Sequence, residues 1–131
     1  MNNILYVSID GNNIGRELER LMLGERLEEL KVFSETMLLI ISKIAQHVEK
    51  LGGEVIMAGG DNVLARMSES DANELSKWVS KMRTDKISFS VGIGDNVKMA
   101  YLALKYAKVN GIDSFKECVA IANNGGRSAS S

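Results

Sequence analysis

Proline is absent from this chain of 131 residues, and cysteine and histidine occur once each, as Cys118 and His47. A single cysteine forms no internal disulfide and no cysteine-based zinc site. Any histidine triad or histidine-rich metal centre would have to use His47. That residue sits inside a helical pattern, far from the glycine loops, and reads as a helix-surface residue. Apolar runs such as Met37–Ile41 are far too short to span a bilayer. No basic stretch precedes the short apolar run near the N-terminus, so no secretory signal is expected. A cytoplasmic protein with no membrane partner is the default. Excess charge of one sign is missing too. With 16 basic and 17 acidic residues the formal net charge is −1, which argues against holding long nucleic acid by bulk electrostatics. Small phosphorylated ligands need only a local cluster of donors and are not excluded.

What is present suits a packed domain. Apolar residues make up 45% and charged residues 25%, both near the globular average. The length fits one domain, taken as 1–122, and the small polar stretch 123–131 reads as a disordered tail. Asn3 to Ile9 predicts a strand that ends at Asp10-Gly11-Asn12-Asn13, with a short helix from Arg16 to Leu23. Apolar residues then recur at Leu27, Leu30, Phe33, Met37, Ile41, Ile44, Val48 and Leu51, one face of a long helix that stops at Gly52-Gly53. Core is the preferred reading of Met37–Ile41, and an oligomer face is the alternative.

Glu54–Ala58 and Val63–Met67 read as two strands of a hairpin closed by Gly59-Gly60-Asp61-Asn62. Ser70 is the expected N-cap of the next helix, whose apolar face is Ala72, Leu75, Val79 and Met82. Ile87–Ile93 is a fourth strand. Asp95 or Asn96 caps a last helix that reaches Asn110 and ends at Gly111, and Cys118–Ala122 reads as an edge strand. The order is βαββαβ with an additional C-terminal helix, an α+β ferredoxin-like plan. In that plan the first and second strands are parallel, with the third antiparallel between them.

This topology brings Asp10, at the end of the first strand, to the same sheet edge as Asp61, in the turn after the second. Two aspartates beside glycines suit a hard divalent cation such as Mg²⁺ or Mn²⁺. The loop Gly11-Asn12-Asn13-Ile14-Gly15 leads into a helix start, where backbone N–H groups can receive phosphate oxygens. A second triplet, Gly94-Asp95-Asn96, opens a helix and reads as a cap.

These residues resemble a family. Gly59-Gly60-Asp61-Asn62 on a hairpin is similar to the signature loop of the GGDEF nucleotide cyclases and to the palm of the large subunit of type III CRISPR complexes. "ISFSVGIG" and "AYLALKYAKVNG" resemble the GGDEF ending, with matches at Ser90, Gly92, Ala100, Ala103, Leu104, Ala107, Lys108 and Gly111. The short form is most similar to the minimal CRISPR polymerases, palm domains associated with antiphage defence. The resemblance implies a Mg²⁺-dependent (or Mn²⁺-dependent) nucleotidyltransferase that joins nucleoside triphosphates, ATP first among them, into a cyclic di- or oligonucleotide. It implies that Asp10, Asp61 and the Ile9 carbonyl hold metal. It implies that Gly11, Asn12, Asn13, Ile14, Gly60, Asn62 and Lys108 meet the nucleotide. Lys105 could add a contact, although a solvated face is the simpler reading.

Three positions depart from the pattern. Asn62 stands where the relatives carry glutamate or aspartate, and it offers a carbonyl oxygen but no charge. Tyr101 and Lys105 replace an aspartate and a tyrosine. The loop is also similar to that of GTP cyclohydrolase III, a hydrolase alternative, and a catalytically inactive nucleotide-binding sensor is a second alternative. Joining two nucleotides needs a donor and an acceptor, so a homodimer with facing sites is expected.

Overall fold

The computed structural model describes residues 3–110. Four strands and four helices follow in the order β1 (Ile4–Gly11), α1 (Ile14–Leu23), α2 (Leu27–Lys50), β2 (Glu54–Gly59), β3 (Asn62–Ser68), α3 (Glu69–Ser80), β4 (Phe89–Gly94) and α4 (Val97–Asn110). The sheet order is β2-β3-β1-β4, and every neighbouring pair is antiparallel. β1 and β2 therefore run parallel with β3 between them, the ferredoxin-like arrangement expected above.

Alternation in the strands sorts residues to two faces. Leu5, Val7 and Ile9 of β1, Val63, Ala65 and Met67 of β3, and Phe89, Val91 and Ile93 of β4 point into the main core. There they meet the apolar stripe of α2, where Phe33, Met37, Ile41, Ile44 and Val48 are buried, and Ala72, Leu75 and Val79 of α3. Met37 and Ile41 thus bear out the core reading of their run, while Leu38 and Leu39 face outward at 63% and 55% exposure. His47 lies on the flank of α2, stacked on Trp78 with ring centres 4.2 Å apart.

The opposite sheet face is covered differently. Ser90, Gly92 and Gly94 of β4 stand in register with Asp10, Ser8 and Tyr6 of β1, and α4 lies across β4 and β1 on this side. A Cβ built on Gly92 would stand 2.2 Å from the Leu104 nitrogen, and one on Gly94 2.5 Å from the Ala100 nitrogen. The helix backbone packs directly on the strand, through its own Ala100, Ala103 and Ala107. Every residue of β4 is buried as a result, although β4 is an edge strand.

Two cap assignments are settled by geometry. Ser68, not Ser70, caps α3: its hydroxyl accepts the Asp71 N–H at 3.3 Å. β3 runs to Ser68, so the helix can begin only one residue later. Asn96 caps α4 by accepting the Met99 N–H at 2.8 Å. The helix stop at Gly111, the strand 118–122 and the tail 123–131 lie outside the described residues. Among the described residues no helix is long and apolar enough to cross a membrane.

Candidate functional site

The site is built where β1 ends against the β2–β3 hairpin. Gly59 pairs with Asn62, which leaves Gly60 and Asp61 as a two-residue loop. Gly60 takes a positive φ of 59°, the conformation that a tight hairpin of this length demands at its first loop position. Asp10 pairs with Asn62 across β1 and β3, and the Gly11 N–H donates to the Asp61 carbonyl at 2.9 Å. A Cβ on Gly11 would come within 3.3 Å of the Asp61 Cβ and 2.5 Å of Ile14 Cγ1. The missing side chain at Gly11 makes room first for Ile14 at the start of α1 and then, less tightly, for the hairpin tip.

The hairpin tip sets the Asp61 carboxyl close enough to that of Asp10 for the two charges to interact. Partial burial, then the charge of Asp10, hold the Asp61 pKa above the ordinary aspartate value, and the ammonium of Lys108 opposes that rise. Lys108 arrives from the other side of the molecule, on α4. Its Nζ stands 3.1 Å from Asp10 Oδ2 and donates to the Gly11 carbonyl at 2.9 Å. The close seat of α4 on Gly92 and Gly94 sets the root of that side chain. Lys105, one turn earlier, lies instead over the Tyr101 ring, 5.3 Å from its centre.

The loop expected to cradle phosphate divides into two parts. Asn12 is a clamp: its N–H donates to the Ser88 carbonyl at 2.9 Å, its amide nitrogen donates to Ser88 Oγ at 3.1 Å, and its amide oxygen accepts from Ser90 Oγ at 2.7 Å. Asn13 takes a left-handed φ of 58°, and α1 starts at Ile14, two residues before the expected start. The N–H groups of the first turn have no partner within the helix. At Gly15 no atom lies within 4 Å of a built Cβ, so the backbone is open to approach.

Beside this helix start and the hairpin tip is a cavity of about 300 Å³. Leu18, Phe33, Met37 and Leu38 give it apolar walls, and Ser34, Gly60 and Asp61 also line it. A larger cleft of about 670 Å³ lies between α1, the start of α2 and residues 84–87. Four of its charged residues pair off, Lys86 with Glu17 and Arg26 with Glu29, and its lining does not include Asp10 or Asp61.

The structure therefore brings together Asp10, Gly11, Gly60, Asp61 and Lys108, with Asn13 and Ile14 beside them at the start of α1. Ile9 lies within the sheet, paired with Val63 and Val91. The Gly11 carbonyl also stands beside Asp10, since the Lys108 ammonium touches both. Sequence reasoning missed this oxygen, the serine clamp on Asn12 and the walls of the cavity. The small residues of "SVGIG" were the available signal for the clamp and for the close helix. Among the described residues no group of three or more His, Cys, Asp or Glu side chains converges. A cation here would rest on two carboxylates and neighbouring neutral oxygens.

A solved EAL/GGDEF domain protein from M. capsulatus has the same fold, with a TM-score of 0.54 at 17% identity, covering 84% of this chain and 81% of that one. No curated protein matches the chain. The minimal CRISPR polymerase (mCpol) domain matches residues 6–118, and with most of its length covered the chain belongs to the minimal CRISPR polymerase family.

Proposed function

We propose that this domain is a divalent-metal-dependent nucleotidyltransferase that joins nucleoside triphosphates, ATP first among them, into a cyclic di- or oligonucleotide signal for antiphage defence. The observation that carries this reading is the Asp10–Asp61 pair with a lysine ammonium already against it. The donor set fits the group: two carboxylates and the Gly11 carbonyl are hard oxygens, the type that Mg²⁺ and Mn²⁺ take. Bound there, the cations would supply Lewis-acid stabilisation of an attacking ribose hydroxyl and of the phosphates.

The chain's own residues supply the rest. N–H groups at the start of α1 receive phosphate oxygens, favoured by the helix dipole. Lys108 neutralises the outer phosphates. The apolar cavity takes the base by dispersion and burial. Adenine, with fewer polar edge groups than guanine, loses less on entering an apolar slot. Asn62 supports the turn and offers an amide oxygen. A cavity of about 300 Å³ holds one base and not two nucleotides, so the acceptor comes from a facing site in a homodimer.

The test is to incubate the purified chain with each nucleoside triphosphate and Mg²⁺ or Mn²⁺ and to identify products by mass spectrometry. Phosphodiester-linked products and pyrophosphate, largest with ATP, are expected. Release of formate from GTP would replace this reading with a cyclohydrolase. Tight nucleotide binding with neither product would leave a sensor.

A further inference from the structure

We propose that Lys108 is a built-in counterion that holds the cation position beside Asp10 until a metal-bound triphosphate displaces it. The inference rests on the metal reading of the carboxylate pair and goes beyond it.

The argument starts from what the ammonium touches. Nζ contacts Asp10 Oδ2 at 3.1 Å and the Gly11 carbonyl at 2.9 Å, one anionic and one neutral hard oxygen. A divalent cation seeks the same oxygens. On those two oxygen atoms metal and ammonium exclude each other, and their like charges repel. The lysine therefore leaves as the metal takes them. α4 cannot carry it away, because the helix backbone is seated on Gly92 and Gly94 with no room for even a methyl group. The flexible four-carbon stem can. With metal alone, the departing ammonium gives up two good partners for water. With metal and triphosphate together, it exchanges them for phosphate oxygens. Metal and triphosphate are thereby coupled through one side chain, and the coupling is reciprocal. A site of this kind stays neutralised when empty and loads both ligands together.

The experiment measures Mn²⁺ binding to metal-free protein by calorimetry or by the electron paramagnetic resonance of free Mn²⁺. It is done without nucleotide and with a non-hydrolysable ATP analogue, on the natural chain and on Lys108→Met. Methionine keeps the length of the stem and removes the charge. Without nucleotide the variant should bind Mn²⁺ about fivefold tighter, the scale of one partly exposed ion pair. The analogue should tighten Mn²⁺ binding less in the variant than in the natural chain. In chelator the variant should melt lower, and Asp10→Asn combined with Lys108→Met should recover most of the loss. Equal or weaker Mn²⁺ binding by a folded Lys108→Met protein overturns the counterion role while leaving the metal reading intact. Nucleotide binding with no Mn²⁺ binding by the natural chain overturns the metal reading, and this proposal with it.

Discussion

Gly60-Asp61-Asn62 and Gly94-Asp95-Asn96 are the same three residues in the same order, yet one builds a site and the other a helix cap. In the first, the glycine takes a positive φ in open space, the aspartate meets Asp10, and the asparagine pairs in the sheet. In the second, the glycine is pressed against the backbone of α4, the aspartate is exposed, and the asparagine accepts the Met99 N–H. A short motif specifies how the chain turns. Which side chain then gains a partner depends on what the neighbouring element brings to the turn.

The comparison breaks most sharply at the aspartates. Asp61→Asn should keep the fold, since asparagine suits the same turn, but abolish metal-dependent product formation. Asp95→Asn, on an exposed position, should leave turnover and melting temperature nearly unchanged. Near-normal turnover by Asp61→Asn would remove the two-carboxylate site.

At the glycines the order of damage reverses. Gly94→Ala should cost about 2–3 kcal/mol, because its Cβ would stand 2.5 Å from the Ala100 nitrogen, a backbone atom with nowhere to move. Gly60→Ala should cost about 1 kcal/mol, from its φ alone, since nothing lies within 4 Å of the added carbon. Denaturant unfolding of the two variants decides it. A milder loss at Gly94 than at Gly60 would mean that α4 is not seated on β4 as described.

The smallest expected effect is a slope. Burial and the Asp10 charge raise the Asp61 pKa in the folded chain, so the folded chain binds that proton more tightly than the unfolded chain does. Stability of the metal-free protein should therefore fall as pH rises from the ordinary aspartate range through the raised pKa. Asp61→Asn should flatten that part of the profile and melt higher than the natural chain above it, in chelator. A variant with the same slope would place the repulsion elsewhere.

Much of this is legible in the sequence. The stripe from Phe33 to Val48 follows helical periodicity, and the strands follow alternation with glycine-rich ends. Together they yielded the element order, and with it the ferredoxin-like plan. Asp10 and Asp61 were legible as a pair because that plan puts the ends of parallel strands at one edge. Other features were not. Both Ser68 and Ser70 qualify as caps by type, and the length of β3 chose between them. Asn12 is as good a phosphate ligand as Asn13 by composition, but only the register that places β4 beside β1 shows its side chain spent on Ser88 and Ser90. Lys105 and Lys108 differ by one turn of the same helix, and the seat of α4 on two glycines aims Lys108 at Asp10.

The sequence by itself determined the elements, their order and the pair of carboxylates, because hydrophobic period, turn residues and caps act between near neighbours along the chain. Tertiary structure alone decided which oxygens and which lysine complete the site. Those contacts join residues some 50 to 100 positions apart, and they depend on strand register and on the depth at which a helix sits, neither of which a local pattern encodes.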